Sequence, residues 1–182
     1  MELAPRTRRN RQEYGRLRAY GWLWAASVAA AAVLFIFTAL FTAIRVSDAG
    51  MAPFIEENDI LLFGRLSRHL SAPERGDVIA FRAQKNGPTY IGRVVGLPGE
   101  RVAIAGGKVY IGGLLLDESA YASGAPEEFA ETKVPAGCFF ILPDAREYAE
   151  LANAASLFVP GNNILGTARV RVSPLGRIAL FE

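Results

Sequence analysis

Residues 19–44 are the segment that most restricts how this chain can fold. The sequence AYGWLWAASVAAAAVLFIFTALFTAI contains no charged residue over 26 positions. At a rise of about 1.5 Å per residue, a helix of this length exceeds the roughly 30 Å hydrocarbon core of a bilayer. The segment therefore predicts one transmembrane helix, with the remainder of the chain divided between its two ends.

The flanks of this segment predict its orientation in the bilayer. Residues 1–18 contain six arginines and two glutamates, so the rest of the chain carries about −2 of the total charge of +2. Arginine-rich flanks lie on the cytoplasmic side, and the rings of Tyr20, Trp22 and Trp24 suit the headgroup level. We expect a cytoplasmic basic tail over residues 1–18 and an extracytoplasmic domain over residues 45–182. Because the basic charge belongs to the tail, no nucleic-acid partner is indicated.

A cleavable signal peptide is the alternative interpretation of the same segment. Ser47 and Ala49 would then be the small residues before the cleavage point. The apolar run is longer than the hydrophobic region of a typical signal peptide, which favours a retained anchor in a cell membrane.

Beyond residue 55 the apolar runs are short, rich in Val, Ile and Phe, and separated by Gly, Pro, Asn and Asp. Examples are DILLF, DVIAF and RIALF. Such runs predict an all-β domain. The pair Gly106 and Gly107 separates two alternating runs and predicts a tight hairpin turn. Only residues 146–158, REYAELANAASLF, have a helical composition.

Two groups of carboxylates in the sequence can also be interpreted. Residues 117–131 contain five acids and no base, which predicts an exposed loop, with partner binding as the alternative. Glu56, Glu57 and Asp59 could form an acid pair in principle, but solvated loop charges explain them more simply. Asp77 is expected to cap the turn into its strand.

Cys138 and His69 are each the single residue of their type in the chain. Cys138 lies in the apolar run VPAGCFFIL and is expected to be a buried thiol without a disulfide. His69 has no Cys or His companion, so it predicts a surface side chain and not a metal ligand. The sequence implies no metal and no cofactor.

Three groups of motifs follow the apolar segment in a fixed order: GMAPFIEENDILL (50–62), RGDVIAF (75–81) with YIGRVVGLPGERV (90–102), and VPAGCFFILPDAR (134–146) with FVPGNNILG (158–166). Behind one N-terminal membrane helix, this order resembles the bacterial signal peptidase I family over nearly the whole chain, to about residue 170. RGDVIAF followed by RVVGLPGE is the most specific part. The resemblance implies an all-β extracytoplasmic domain whose apolar face sits at the membrane, and a role in protein secretion through cleavage of signal peptides.

The two catalytic positions of that family are glycines in this chain. The family's serine nucleophile precedes the methionine of S-M-x-P-T, and its lysine base precedes the arginine of K-R-V-V-G. Here Gly50 precedes Met51 and Gly92 precedes Arg93. Glycine offers neither a nucleophile nor a base, and the Arg93 guanidinium stays protonated. Loss of a nucleophile or its base costs on the order of 10⁶ in rate in a well-studied serine hydrolase. The resemblance therefore implies a pseudoenzyme.

Neighbouring positions also depart from the family's pattern. LPDAR stands where M-G-D-N-R is expected, and Phe54 replaces a small polar residue. The later S-x-D-S-R is absent. The resemblance still implies a peptide groove, for which the candidate residues are Met51, Pro53, Phe54, Tyr90, Arg93, Asp144 and Arg146.

Two classes of function remain open from the sequence. The first is a membrane-anchored, non-catalytic homologue that binds extended peptides or signal sequences as a chaperone, scaffold or assembly factor, or that sequesters them as a regulator. Inactive relatives that assist pilus assembly suggest pilin-like partners. The second is an active signal peptidase in which Ser47 is a displaced nucleophile and Lys85, Lys108 or Lys133 is the base. Ser47 lies three residues from Gly50, so an extended chain separates them by several ångströms, which argues against this alternative.

Overall fold

The computed structural model describes residues 6–65, 72–82, 87–148 and 157–181, with side chains from Tyr20 onward. The chain divides into two units, Met1–Ala39 and Leu40–Glu182. The sequence predictions for His69, Lys85 and residues 149–156 concern positions outside the described residues.

The helix α1 spans Arg6–Leu40. Within the described residues it holds the one candidate membrane span, Tyr20–Leu40, which has a mean hydropathy of 2.2 and no burial against other residues. Length and composition are therefore those of a transmembrane helix. The helix ends four residues before the predicted end at 44, because residues 41–45 pair with a later part of the chain and adopt a strand conformation.

The second unit is built of strands, in chain order β1 Phe41–Arg45, β2 Ile60–Gly64, β3 Val78–Arg82, β4 Thr89–Gly96, β5 Arg101–Ala105, β6 Lys108–Ile111, β7 Leu114–Leu115, β8 Phe129–Lys133, β9 Cys138–Leu142, β10 Phe158–Pro160, β11 Ile164–Ser173 and β12 Ala179–Leu180. One antiparallel sheet has the order β1-β2-β11-β3-β4-β9-β10, with β12 paired to β11. A second sheet has the order β7-β6-β5-β8. The predicted all-β domain behind an apolar helix is confirmed.

The core places one apolar cluster directly beside position 92. Ile79, Phe81, Val94 and Ile141 are buried together on one face of strands β3, β4 and β9. Strand register explains this grouping, because β3 pairs with β4 and β4 pairs with β9. Side chains that alternate along each strand then meet on the same face of the sheet.

Several local predictions can be compared with these elements. The turn at Gly106 and Gly107 joins β5 to β6, and both residues have positive φ, 57° and 70°, so the predicted hairpin is confirmed. The helix predicted for residues 146–158 differs at both described ends, because Arg146–Tyr148 is a 3₁₀ turn and β10 begins at Phe158. Cys138 is half-buried, since it is the first residue of β9 and packs at the margin of the core.

Candidate functional site

Gly50 and Gly92 lie against the same short segment of chain, the end of β9 and the residues that follow it. The backbone N–H of Ala145 donates to the Gly50 carbonyl oxygen at 3.0 Å. In the register of β4 with β9, Arg93 is opposite Leu142 and Val94 is opposite Ile141. Both glycines are buried. The fold therefore brings the two positions identified from the sequence to one place in the molecule.

Space beside Gly92 is filled by Ile141. A Cβ added to Gly92 would lie 2.5 Å from Ile141 Cγ2, 3.4 Å from the Leu142 carbonyl oxygen and 3.5 Å from Phe81 Cε1. Ile141 is only 3% exposed, so its branched side chain has little room to move away. Any residue with a side chain at position 92, lysine included, therefore requires Ile141 to shift.

The backbone N–H of Gly50 is occupied by a carboxylate. It donates to Asp48 Oδ1 at 2.9 Å, and a Cβ added to Gly50 would lie 2.9 Å from the same oxygen. In acyl-transfer sites the backbone N–H of the nucleophile's own residue commonly stabilises the developing oxyanion. Here a negatively charged oxygen already accepts this hydrogen bond. A substrate carbonyl would have to displace Asp48 and would meet its charge.

Ser47, the alternative nucleophile, contacts the carboxylate of the next residue, Asp48. It is exposed, and its hydroxyl lies 3.4 Å from Asp48 Oδ2, near the outer limit of a hydrogen bond. Lys108 is in β6 and Lys133 is in β8, both in the second sheet, whereas Ser47 follows β1 of the first sheet. Among the described residues, neither lysine contacts Ser47. Neither of these two lysines therefore forms a dyad with Ser47, and Lys85 lies outside the described residues.

Arg93 and Asp144 form a buried ion pair beside the segment that both glycines contact. Arg93 donates to the two Asp144 carboxylate oxygens at 2.8 and 2.5 Å, and also to the Gly76 carbonyl oxygen at 2.7 Å. The Asp144 side chain is fully buried, and the Arg93 guanidinium lies 4.1 Å above the Tyr121 ring. Bidentate pairing of this kind fixes both side chains. This ion pair thus stabilises the segment that both glycines contact.

The groove candidates divide into two groups by exposure. Met51, Arg93, Asp144 and Arg146 are buried, so in this structure they offer little surface to a peptide. Phe54 and Tyr90 are exposed, as is Pro53. A role in peptide binding stays a prediction for all seven residues, and only Pro53, Phe54 and Tyr90 are directly accessible.

The acidic stretch at 117–131 is not a simple exposed loop. The backbone N–H of Ser123 donates to the Asp144 carbonyl oxygen at 2.9 Å, and Arg146 N–H donates to the Ser123 carbonyl oxygen at 2.8 Å. Glu118 forms an ion pair with buried Arg146. Burial raises the pKa of Glu118, although the Arg146 charge opposes the shift. The other four carboxylates of the stretch, Asp117, Glu127, Glu128 and Glu131, are exposed as predicted, and only Glu118 is drawn inward by its pairing with the chain after β9.

Tyr121 belongs to the same packed stretch. Its ring lies against Arg93, and its hydroxyl is 3.4 Å from Glu118 Oε1. Burial, followed by the nearby Glu118 charge, raises the pKa of the Tyr121 phenol to about 12. The phenol is therefore neutral at physiological pH and does not provide a base to this region.

Asp59 also departs from its predicted role as a solvated charge. It is 2% exposed, accepts a hydrogen bond from the Glu56 N–H at 3.0 Å, and lies 3.3 Å from Arg171. The arginine is on β11, far along the sequence, so no local pattern indicates the pair. Glu56 and Glu57 are exposed as expected. Asp77 accepts from the Glu74 N–H at 2.9 Å, which confirms its role in the turn.

Among the described residues, no group of three or more His, Cys, Asp or Glu side chains is arranged to hold a metal ion. The only histidine, His69, is outside this part of the chain.

A β domain that follows one apolar helix, with the Met51 and Arg93 motifs meeting at a single strand end, defines a membrane-anchored protein of the signal peptidase type. Comparison with known proteins agrees. The family model described as signal peptidase, peptidase S26, matches residues 19–173. The chain therefore belongs to the signal peptidase S26 family.

Individual relatives are signal peptidases of type I. A signal peptidase I from Leptolyngbya laminosa is 36% identical over 141 residues, which cover 73% of this chain and 69% of that protein. A signal peptidase I from Bacillus caldolyticus is 30% identical over 172 residues, covering 87% and 92%. A crystal structure of a signal peptidase I from Enterococcus faecalis V583 has a TM-score of 0.44 and 29% identity, over 53% of this chain and 97% of that chain.

Proposed function

We propose that this chain is a catalytically silent signal peptidase I homologue that binds extended peptide segments of exported proteins at the outer face of the cell membrane. In this role it acts as a chaperone, scaffold or assembly factor. The observation that carries the proposal is the packing of Ile141 into the space beside Gly92, where the family's base would lie.

Three groups that catalysis requires are absent or already occupied in this geometry. Gly50 supplies no nucleophile, Gly92 supplies no base, and Asp48 occupies the backbone donor at position 50. Electrostatic stabilisation of an oxyanion is commonly worth about 10²–10³ in rate for a single donor, in addition to the loss of nucleophile and base. Cleavage at this site is therefore expected to be undetectable against the uncatalysed reaction.

Peptide binding depends on other groups. Strand β1 is at the edge of the first sheet and leads directly to Gly50. An extended peptide can add to such an edge through backbone hydrogen bonds, which need no catalytic side chain. The exposed side chains Phe54 and Tyr90 supply apolar surface in the motifs that flank the two glycines.

The proposal includes an orientation and a class of partner. The arginine-rich residues 1–18 are placed in the cytoplasm, so the β domain meets exported proteins after translocation. Signal-sequence segments and pilin-like proteins are both ligands of the required chemistry, since each presents extended chain beside the bilayer. Sortase and pilin genes in the neighbourhood of the gene would favour the pilin-like partner.

A precursor-cleavage assay on the chain in lipid nanodiscs tests the silence of the site. We expect no cleavage by the native chain. The double variant Gly50→Ser with Gly92→Lys is also expected to be inert, because Ile141 and Asp48 still occupy the space. Adding Ile141→Ala and Asp48→Ser should allow the new side chains to be accommodated. Cleavage by the native chain would refute the proposal.

Binding requires a separate measurement. Crosslinking of a photoreactive precursor peptide to the native chain should label residues next to β1 and near Phe54 or Tyr90. Empty nanodiscs control for partition of the peptide into lipid. If the native chain is inert and also captures no precursor, the proposed binding role is wrong even though the site is silent.

An active peptidase that uses Ser47 is the second candidate, and the contact between Ser47 and Asp48 favours it. This candidate predicts that the native chain cleaves an Ala-x-Ala precursor and that Ser47→Ala abolishes the cleavage. Cleavage that survives Ser47→Ala would remove this candidate as well.

A further inference from the structure

Residues 117–126, which we call the strap, join the second sheet to the segment that Gly50 contacts. The strap leaves the second sheet after β7, at one edge, and returns to it before β8, at the opposite edge. Between these points it passes the β5–β6 turn, where a Cβ added to Gly107 would lie 2.9 Å from the Ala125 Cβ. Its residues 118–123 contact the chain that follows β9 of the first sheet.

Backbone pairing places the strap directly beside the site. The Ser123 N–H donates to the Asp144 carbonyl oxygen at 2.9 Å, and the Arg146 N–H donates to the Ser123 carbonyl oxygen at 2.8 Å, so that the two chains form a parallel bridge. The intervening Ala145 N–H donates instead to the Gly50 carbonyl oxygen at 3.0 Å. These three residues therefore lie between the strap and Gly50. Any movement of this short segment would displace the hydrogen-bond partner of the Gly50 carbonyl.

Side chains of the strap fasten it to the same segment. The Glu118 carboxylate forms an ion pair with Arg146, whose side chain is 1% exposed. The Tyr121 ring lies 4.1 Å from the Arg93 guanidinium, and the Tyr121 hydroxyl lies 3.4 Å from Glu118. Removal of one partner from a buried ion pair is strongly destabilising, so the pairing of Glu118 with Arg146 keeps the strap against this segment.

The backbone of Gly124 lets the strap leave the segment directly after Ser123. Its φ is 74°, in the left-handed region that residues with a side chain rarely adopt. A Cβ at this position would also meet the Glu147 carboxylate. An alanine at position 124 therefore strains the strap beside its pairing without replacing any residue of the site itself.

We propose that three residues of the strap are positioning residues for the Gly50 site: Glu118, Tyr121 and Ser123. They hold the segment between the strap and Gly50 in the place from which the Ala145 N–H fixes the Gly50 carbonyl. A binding edge that is ordered in advance loses less entropy when a peptide adds to it. The expected effect on peptide capture rests on the proposed function, whereas the positioning of Gly50 does not.

Residue-resolved hydrogen–deuterium exchange, measured on the chain in lipid nanodiscs, tests the positioning through three amides. The Arg146 N–H reports release of the strap, because it donates to Ser123. The Ala145 N–H reports the contact with Gly50. The Val134 N–H donates to the Glu100 carbonyl oxygen at 2.7 Å, is part of the core of the second sheet, and reports opening of the whole domain.

Two glycine substitutions with similar backbone strain are compared. Gly113→Ala is the matched control, because Gly113 has a φ of 82° and a Cβ there has no neighbour within 4 Å. Both variants weaken the whole domain alike, so exchange at Val134 should rise equally in the two. Exchange at Arg146 and Ala145 should rise about five- to thirtyfold in Gly124→Ala alone, because only this strain is relieved when the strap opens.

Side-chain variants and peptide capture complete the test. Glu118→Ala should also speed exchange at Arg146 and Ala145, and Glu118→Gln should restore part of the protection, because glutamine retains an oxygen acceptor for Arg146. In the precursor-crosslinking assay, Gly124→Ala should label the chain next to β1 at least about threefold less than Gly113→Ala does.

The proposal is overturned if exchange at Arg146 rises while Ala145 is unchanged, because the strap then opens without moving the site. Equal changes at all three amides in both glycine variants would overturn it, since the strap would then open only with the whole domain. An unchanged Arg146 rate in both Gly124→Ala and Glu118→Ala would do the same.

The capture assay separates this inference from the proposed function. If exchange changes as expected but the native chain captures no precursor, the proposed function is wrong and the positioning of Gly50 stands. If the native chain captures precursor and the two glycine variants capture it equally, the proposed function stands and the strap has no role in capture.

Discussion

Replacing Gly92 by alanine tests whether Ile141 already fills the space beside β4. The added Cβ would lie 2.5 Å from Ile141 Cγ2, closer than carbon atoms approach in folded proteins. Overpacking a core in this way costs about 1–3 kcal/mol. Where the backbone accepts alanine without strain, the same substitution stabilises by about 0.4–1 kcal/mol. We therefore expect Gly92→Ala to lower the free energy of unfolding by roughly 1–2 kcal/mol.

Ile141→Ala supplies the second arm of a double-mutant cycle. Alone, it removes a buried side chain and should cost about 2–5 kcal/mol. It also removes the Cγ2 methyl group that the new Cβ would meet. The double variant should therefore lose less stability than the sum of the two single losses, with a coupling energy of about 1 kcal/mol or more. Ile141→Val is unsuitable here, because valine retains the Cγ2 methyl group that the new Cβ would meet.

Pulse proteolysis in urea, applied to the β domain of the chain in mild detergent, gives the free energies. Gly176→Ala is the matched control, because a Cβ there has no neighbour within 4 Å and the backbone is not in the left-handed region. It should change the free energy of unfolding by less than about 0.5 kcal/mol. The reasoning is refuted if Gly92→Ala is as stable as the native chain, or if the cycle shows no coupling.

Three further predictions concern the charged groups. Asp144→Ala leaves the Arg93 charge buried without a partner and should cost about 3–5 kcal/mol of stability, whereas Glu131→Ala in an exposed pair should cost about 0–1 kcal/mol. Urea midpoints compare the two variants, and equal losses of stability would contradict the burial argument. The pKa of Glu118 is raised on folding, so its contribution to stability is present at acidic pH and is lost as pH rises through the folded pKa. Between about pH 4 and 7 the free energy of unfolding should therefore fall less steeply in Glu118→Gln than in the native chain. Identical slopes would contradict this assignment. Asp48→Ala frees the Gly50 N–H, which should exchange with deuterium faster than in the native chain, and an unchanged rate would show that the carboxylate does not protect it.

The sequence is sufficient to predict the parts of the fold that depend on local patterns. The uncharged segment predicts the apolar helix, the alternating runs predict strands, and Gly106 with Gly107 predicts the hairpin. The resemblance also locates Gly50 and Gly92, which the fold then brings to one segment. Each of these signals lies within a few residues of the feature it predicts.

The remainder depends on contacts between distant parts of the chain. Strand β1 replaces the last turn of the predicted helix because it pairs with β2, which begins at Ile60. Asp59 is buried because Arg171 reaches it from β11. Glu118 is drawn inward by Arg146. None of these partners is specified by spacing along the sequence, and the packing of Ile141 against Gly92 is of the same kind.

The contact between Ile141 and Gly92 has a consequence for the order in which substitutions can accumulate. A single mutation that introduces lysine at position 92 meets an occupied space and should lose stability. The same holds at position 50, where the Asp48 carboxylate stands next to the missing side chain. Any substitution series that ends with serine at position 50 and lysine at position 92 therefore passes through less stable sequences unless Ile141 and Asp48 change first. The two neighbours thus restrict the order in which these side chains can be acquired.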